Sequence, residues 1–453
     1  MATSLPTDLI GHAEAASGNS DAFVTSFGRG IRFVPGYFDL VKEVVGLPKV
    51  ASRDFQIAST NVAGGADKLD YTKAQELNEQ QQRMTLYGYT GRYTACYPLL
   101  WLLDQTDIHP HFRRMLDIGT GFGIQPRVLK GLGMVDETVG NDLWDRASAI
   151  DEGRLRRQHR KMRWLKHLDR MQTRIMRKPE ATWSDFERAL VYKVSNPRLR
   201  MKLGGGWMPG TDLYDRKFVR KPTLDRMITG NVYDIEERFD LITAFSVIDW
   251  FRAEEIFAKI SSMLEDNGVF FMWGPNWWHA VTGGRVAGHF PFAAQRLTRE
   301  DFRRYVDTHL PENAEALKQT YDYFDPLHPT MRDYIRIAHE NGMELAAYHA
   351  TLSPTPYNKK YGVTSRGWAD IEPGVFDDVL ADIHQFRPDI THEDLMPFAM
   401  FLLFRKVDRN RKAQPGDFRD LHARMERSIR MRAPKPWMRQ AGKLWHLVQG
   451  RRG

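Results

Sequence analysis

The sequence contains a single cysteine, Cys96, in 453 residues, so no internal disulfide framework can stabilise the fold. Its longest apolar runs, such as FAMFLLF, are far shorter than the about 20 residues that span a bilayer. No Cys/His spacing is typical of a zinc site, and we predict no bound metal. The first 20 residues lack the basic start and apolar core of a signal peptide, so we expect a cytoplasmic location.

Basic charge is abundant, but it is unevenly placed. The chain carries a formal net charge of +8, yet residues 146–226 contain 22 Lys/Arg against 9 Asp/Glu, and residues 405–453 contain 15 against 4. The rest of the chain is therefore acidic. Two basic segments on an acidic body indicate an anionic partner, which could be a phosphorylated polymer, a nucleic acid or a membrane surface. Solvated helix faces are the plainer interpretation of either segment alone.

Apolar patterning predicts strands that alternate with helices. Continuous apolar strands of this kind form a mostly parallel sheet that is covered on both faces, which is an α/β fold. Helices are predicted between strands, among them two later ones, and Gly268 is expected just past the end of the first of these two. The predicted strands are MLDI, DETVGND, MITGNVYDI, RFDLITAF, VFFMWG, MELAAYHA and PFAMFLLFRK, and the two helices are AEEIFAKISSMLEDNG and PTMRDYIRIAHENG.

The spacing of these elements divides the chain into four parts. Residues 98–145 and 226–406 together form the α/β domain, because normal strand spacing returns when the segment between them is removed. Residues 146–225 are a basic, mainly helical insertion. Residues 1–97 form a helical N-terminal region, and residues 407–453 form a basic amphipathic tail.

The stretch RRMLDIGTGFGIQPRVLKGLG, residues 113–133, combines an apolar strand, a glycine-rich turn and a helix. Such a turn brings backbone N–H groups and a helix N-terminus close to a ligand. In a doubly wound sheet, ligands bind beyond the carboxyl ends of the strands, where this turn is expected to lie.

The spacing D-x-G-x-G-x-G, which starts at Asp117, resembles the first motif of the class I S-adenosylmethionine-dependent methyltransferases. VGNDLW, ITGNVYDI, RFDLITAFSVIDWF and MLEDNGVFFMWGP resemble later parts of that family, in the family's order. The resemblance implies a Rossmann-like, seven-stranded, mostly parallel sheet. It also implies a methyltransferase whose cofactor is S-adenosyl-L-methionine.

The resemblance also suggests which residues bind the cofactor. Asp142 ends the second strand and is expected to hold the ribose hydroxyls, since a carboxylate can accept from both. Asn231 or Asp234 is expected to contact adenine. The full set of expected cofactor-binding residues is Asp117, Gly119, Thr120, Gly121, Phe122, Gly123, Asp142, Leu143, Asn231, Val232, Asp234 and Ala244.

An acceptor hydroxyl would need a base, and the candidates follow the fourth and fifth strands. They are Asp249, His279 and His289. Asp249 could instead cap the helix that starts near Ala253, and either histidine could be structural. No Asn-Pro-Pro-aromatic signature of amino-group methylation follows the fourth strand, which favours O-methylation.

GHFPF, residues 288–292, resembles a Gly-His segment of methyltransferases associated with glycans. A polar or anionic acceptor such as a glycan or lipid-linked saccharide is therefore the leading hypothesis. The basic insertion, with Trp164 and Trp183, favours an RNA methyltransferase as the alternative. A catalytically silent cofactor-binding scaffold, recruited to a membrane surface, is the third.

The tail segment PKPWMRQAGKLWHLVQGRR places Trp437 and Trp445 on one helical face. Basic residues beside such a face are typical of a helix that lies in the membrane interface, and packing on the protein's own core is the alternative. The tail therefore predicts peripheral attachment to an anionic membrane surface at the inner face.

Overall fold

The protein's structure is a computed structural model that describes most of the α/β domain. The described residues are 12–13, 21–39, 96–145, 217–278, 288–324, 329–351, 373–395 and 399–407, with scattered positions between 147 and 187. His279, most of the basic insertion and the tail segment 408–453 lie outside the described residues.

A seven-stranded sheet forms the centre of the molecule, in the order β6-β5-β4-β7-β8-β10-β9. Neighbouring strands from β6 to β8 are parallel, and β10 runs antiparallel to both β8 and β9. The strands are β4 Phe112–Ile118, β5 Val135–Asp142, β6 Arg226–Thr229, β7 Phe239–Phe245, β8 Leu264–Pro275, β9 Met343–Thr351 and β10 Ala399–Lys406.

Helices lie between these strands. Short 3-10 turns lie at Val232–Asp234, Ile248–Trp250 and Pro311–Asn313. The helices are α1 Cys96–Leu103, α2 Ile124–Gly131, α3 Ala253–Met263, α4 Ala293–Arg296, α5 Arg299–His309, α6 Ala314–Phe324, α7 Met331–Glu340, α8 Pro373–Ile383 and α9 His392–Leu395.

The apolar strands are buried because helices cover both faces of the sheet. In β4, Met115 packs in a cluster with α1 and α2, while Leu116 and Ile118 pack in a second cluster with α3 and α7. Successive side chains of a strand point to opposite faces. Asp117 therefore shares the α1 and α2 face with Met115.

The sequence predicted every strand of this sheet. The predicted alternation of strands with helices and the mostly parallel sheet are both confirmed. One helix end was predicted wrongly. The helix α3 ends at Met263, and the chain passes directly into β8, so Gly268 lies within the strand and not just past the helix. At this point of the strand Asn267 has a positive φ of 62°. A Cβ on Gly268 would lie 2.8 Å from the Glu265 carbonyl oxygen.

A second, small antiparallel sheet lies near the N-terminus, which the sequence did not predict. It has the order β1-β3-β2 and comprises β1 His12–Ala13, β2 Ala22–Val24 and β3 Gly30–Arg32. Phe23 and Ile31 of this sheet pack in one cluster with residues of α5 and α6. The N-terminal segment therefore covers the helices that follow β8.

A buried ion-pair network strengthens this attachment. Asp382 of α8 is 3% exposed and pairs with Arg29, which lies in the turn before β3. Asp382 also pairs with Arg296 at 2.6 Å, and Arg296 is likewise buried. Removing one partner of such a pair leaves an uncompensated buried charge, which is strongly destabilising.

Candidate active site

Three glycines shape the loop after β4. Gly119, Gly121 and Gly123 have φ of 63°, 55° and 63°, a left-handed conformation that other L-residues adopt only at a cost. A Cβ on Gly119 would lie 2.6 Å from Cγ2 of Val247, which follows β7. The loop therefore needs glycine both for its conformation and for its close contact with the neighbouring chain.

Asp117 is 1% exposed and joins this loop to β7. Its two carboxylate oxygens accept hydrogen bonds from the hydroxyls of Thr120 and Thr243, each at 2.7 Å. Burial raises the pKa of Asp117 to about 7, the two hydroxyls oppose this rise, and the charge of Asp142 adds to it. The carboxylate therefore holds the loop in place and carries a protonation equilibrium near neutral pH.

Asp142 is half-buried at the carboxyl end of β5. Its Oδ2 accepts a hydrogen bond from the backbone N–H of Gly121 at 2.8 Å. No hydrogen bond from the described residues reaches its other oxygen. The neighbouring Leu143 is also half-buried. The structure thus places one carboxylate oxygen of Asp142 against the glycine loop.

The turn after β6 lies against the end of β5. The side-chain amide of Asn141 donates to the carbonyl oxygens of Ile228 and Gly230, at 3.2 and 3.1 Å. Asn231, within this turn, is buried, whereas Asp234 is exposed. The Oδ1 of Asn231 accepts from Tyr233 N–H at 3.1 Å, and the assignment of either residue to adenine stays a prediction.

The start of α2 offers backbone donors beside the loop. Gly123 is the N-cap residue, no side chain caps the helix, and the first turn contains no acidic residue. The first N–H groups of a helix have no intrahelical partner and favour negative charge. Other predicted cofactor residues are buried in the core, and these are Thr120, Phe122, Val232 and Ala244.

Two residues of the loop after β7 have unusual placements. Ser246 is exposed and has φ 56°, which is a strained conformation for a residue with a side chain. Asp249 is 3% exposed, and its charge contributes to a raised pKa of Tyr334 in α7, of which burial is the main cause. The capping interpretation of Asp249 was wrong, because the N-cap of α3 is Arg252 and no side chain caps that helix.

Three tryptophans lie near the end of β8 and just after it, and they have different environments. Trp277 and Trp278 are buried, and Trp278 packs with residues of α8. Trp273 stacks on Phe401 with 5.9 Å between ring centroids, and within the described part of the chain its buried indole N–H has no hydrogen-bond partner. A buried donor without a partner is a candidate ligand contact at this edge of the sheet.

His289 is half-buried between the N-terminal segment and α5. Its ring stacks on Phe33 with 4.9 Å between centroids, and its Nδ1 lies 2.7 Å from the hydroxyl of Tyr305. Asp249 follows Ile248, which packs in a different cluster on the α3 and α7 face of the sheet, and its charge acts on Tyr334 of that cluster. The structure therefore does not bring Asp249 and His289 together, and the third base candidate, His279, lies outside the described residues.

Sequence reasoning missed two residues that organise the site. Thr243 is a single hydroxyl inside the apolar strand β7, and that interruption was the available signal. Tyr305 lies in the amphipathic helix α5, where a buried aromatic residue carries no distinctive pattern. Among the described residues, no group of three or more His, Cys, Asp or Glu side chains could hold a metal ion, and no helix is long and apolar enough to cross a membrane.

The strand order of the central sheet, with its antiparallel β10 between β8 and β9, gives the chain the fold of the class I S-adenosylmethionine-dependent methyltransferases. No protein-family model matches the sequence, and no curated protein matches it.

Solved structures of methyltransferases are similar to the chain at low identity. A geranyl diphosphate C-methyltransferase from Streptomyces coelicolor, in complex with Mg²⁺, geranyl diphosphate and S-adenosyl-L-homocysteine, is 12% identical, with a TM-score of 0.30. The match covers 68% of this chain and 77% of that one. The plantazolicin methyltransferase BamL is 11% identical, with a TM-score of 0.32, over 79% of this chain and 98% of that one. At these TM-scores, the fold assignment rests on the strand order itself.

Proposed function

We propose that the protein binds S-adenosyl-L-methionine and transfers its methyl group to an oxygen of a polar or anionic acceptor. The observation that carries this proposal is the hydrogen bond from Gly121 N–H to Asp142 at 2.8 Å. It joins a glycine loop, which a ligand backbone can approach closely, to a carboxylate that can accept from vicinal hydroxyls.

Each part of the cofactor has a matching group at this edge of the sheet. The Oδ1 of Asp142, which has no hydrogen bond from the residues that the structure describes, suits the ribose hydroxyls. The uncapped N-terminus of α2 suits the methionine carboxylate, since helix N-termini bind anions. Asp117 acts on the positive end of the cofactor through the loop, because Thr120 and Thr243 already occupy its two oxygens. Asn231 or Asp234 contacts adenine.

Methyl transfer from the sulfonium is an in-line displacement, and positioning supplies much of its rate. The acceptor oxygen attacks the methyl carbon, the carbon–sulfur bond breaks, and the acceptor's proton leaves to a base or to water. The acceptor enters beyond β7 and β8, where the strained Ser246 lies near Trp273, whose indole N–H has no partner among the described residues. Asp249, His279 and His289 remain the proposed groups for handling the acceptor.

The excess of basic residues in the insertion and the tail supports an anionic acceptor, and a glycan or lipid-linked saccharide fits the leading hypothesis. We also propose that residues 407–453 attach the protein to an anionic membrane surface, since each basic residue near such a surface contributes about 1 kcal/mol. Co-sedimentation with anionic vesicles should be lost when the tail is removed. Equal sedimentation of both proteins would contradict the attachment.

The experiment that tests the proposed acceptor uses cofactor labelled in its methyl group. Wild type and Asp142→Ala protein are incubated with it and with cell extract, which is then separated into lipid, glycan, RNA and protein. We expect label in the glycan or lipid fraction from wild type, and much less from the variant. Label in RNA would mean that the acceptor is RNA and not a glycan or lipid. Cofactor binding without any transferred label would favour the catalytically silent scaffold.

A further inference from the structure

We propose that Tyr305 fixes His289 as a neutral imidazole with its proton on Nε2, so that His289 serves as a hydrogen-bond donor to an oxygen of the acceptor and not as a base. The tautomer follows from the geometry of the two residues alone. The contact with the acceptor rests on the proposed function.

The hydroxyl of Tyr305 has two hydrogen-bond partners, and both belong to His289. The backbone N–H of His289 donates to the Tyr305 oxygen at 2.6 Å, and the ring Nδ1 lies 2.7 Å from the same oxygen. Tyr305 is 0% exposed, so no bulk water can reach its hydroxyl. Within the described part of the chain, no further polar atom lies within hydrogen-bond distance of it.

The position of one proton settles the tautomer. The hydroxyl of Tyr305 carries one proton, and leaving a buried donor unpaired costs free energy. The backbone N–H of His289 can only donate, so Nδ1 is the one atom that can accept this proton. An Nδ1 that accepts carries a lone pair, and the ring proton of a neutral histidine must then be on Nε2.

The same hydroxyl disfavours the imidazolium. If both ring nitrogens carried protons, the Tyr305 oxygen would face two N–H donors from His289, and its own proton would have no acceptor. The groups that face His289 agree with a neutral ring. Burial and the nearby His309 of α5 lower the pKa of His289, and only Asp39 opposes them.

The ring is also held in one orientation. Phe33 stacks on it at 4.9 Å and 26°, and Phe38 lies 5.2 Å from it at 40°. On the backbone, the carbonyl oxygen of His289 accepts from Val34 N–H at 2.8 Å. Since stacking, the Nδ1 hydrogen bond and the backbone all restrain the side chain, the Nε2–H is presented in a fixed direction, as a specific donor requires.

A base at Nε2 would need a lone pair there, and the inferred tautomer has a proton instead. An Nε2–H donor suits an electron-rich oxygen, such as one from a phosphate, a carboxylate or a saccharide hydroxyl. His289 would then orient the acceptor, while another group or water takes the acceptor's proton. Tyr305 is a positioning residue in this arrangement.

Nitrogen NMR of protein labelled in its histidine side chains tests the tautomer without any activity. In wild type at neutral pH, the His289 signals should show an unprotonated Nδ1 and a protonated Nε2. The Tyr305→Phe variant should lose this fixed pattern and show exchange between tautomers. A protonated Nδ1 in wild type, or an identical pattern in Tyr305→Phe, would overturn the tautomer.

Kinetics with an identified acceptor then test the role. His289→Ala should raise KM for the acceptor by about tenfold or more, and His289→Gln, whose amide can place an N–H near the position of Nε2, should recover most of that loss. A base would behave differently, since glutamine cannot replace it and both variants would lower kcat by about 10²–10⁴. That outcome, or an unchanged KM in His289→Ala, would overturn the acceptor contact, and a circular dichroism melt of each variant checks that it is folded.

Discussion

The carboxylate of Asp142 accepts a hydrogen bond from the backbone N–H of Gly121 at 2.8 Å, although 21 residues separate them in the chain. This contact fixes the end of β5 against the loop that follows β4. A ligand that lies across both strand ends therefore meets a glycine backbone and a carboxylate in one rigid unit. Several properties of the proposed cofactor site depend on this unit.

The substitution Asp142→Ala should weaken binding of S-adenosylmethionine. The variant leaves the ribose hydroxyls without their acceptor and releases the Gly121 N–H, and unpaired buried groups cost about 1–3 kcal/mol. Titration calorimetry should therefore show a Kd about 5- to 150-fold higher. Asp145→Ala is the matched control, because Asp145 is exposed three residues further on. Equal losses in both variants would refute the ribose assignment.

Cofactor affinity should rise with pH through neutrality. Burial raises the pKa of Asp117 to about 7, so the empty site holds a largely protonated carboxyl at pH 6. Because the pKa of Asp117 is raised in the folded, ligand-free protein, its protonated carboxyl contributes to stability at low pH. That contribution is lost as the pH rises through about 7. The positive cofactor favours the ionised form, so binding releases a proton below pH 7.

Calorimetry at pH 6 and pH 8 should show affinity that is up to about tenfold higher at pH 8. The variant Asp117→Asn keeps the shape of the side chain and cannot ionise, so its affinity should be nearly independent of pH. If the wild type and this variant show the same pH dependence, Asp117 is not the group that titrates.

Replacing Gly119 by alanine should destabilise the fold for two separate reasons. The φ of 63° costs a residue with a Cβ about 1–2 kcal/mol, and the added Cβ would lie 2.6 Å from Val247 Cγ2. Gly28→Ala is a control in which only the cost of the positive φ applies. Its φ is 79°, and no atom lies within 4 Å of its Cβ position, so there is no steric clash.

Denaturant unfolding should therefore show a larger loss for Gly119→Ala than for Gly28→Ala. Adding Val247→Ala to Gly119→Ala should recover part of the excess, because the clash is relieved and the backbone cost remains. A double variant whose two effects simply add would show that the contact with Val247 does not require glycine.

Lys406 should be important for stability although lysine usually lies at the surface. Its Nζ donates to the carbonyl oxygens of Ser261 and Leu264 at 2.6 and 2.8 Å, where α3 ends and β8 begins. Lys406→Met should lower the free energy of unfolding by about 1–3 kcal/mol, because those buried carbonyls lose their donor. The neighbouring Arg405→Met should change it by less than about 1 kcal/mol, since Arg405 pairs with the exposed Asp107. Similar melting temperatures for the two variants would contradict this role.

The central sheet could be predicted because its signals are local. Most of its strands are marked by short apolar runs that turn residues bound, and the order of helix and strand indicates parallel pairing. The glycine loop could also be predicted from the sequence, since its three glycines all have the positive φ that favours this residue. The Asp142 contact with Gly121 agrees with the position that the motif gave to this acid.

Other parts depend on contacts that no local pattern records. The strands β1 to β3 have only two or three residues each, too few to show alternation, and they form through packing on α5 and α6. The side chain of Lys406, far along the chain, donates to the Ser261 carbonyl in the last turn of α3 and to the Leu264 carbonyl just after it, which no pattern within the helix records. The pairing of His289 with Tyr305 likewise joins a loop to a helix whose sequence shows only that it is amphipathic.

Titration calorimetry of the wild-type protein with S-adenosylmethionine and with S-adenosylhomocysteine tests the central claim most directly. The account predicts one binding site per chain with a Kd in the micromolar range, which corresponds to about −8 kcal/mol. Absence of heat and of any thermal stabilisation by either compound, in protein shown to be folded, would contradict the assignment of this site to S-adenosylmethionine.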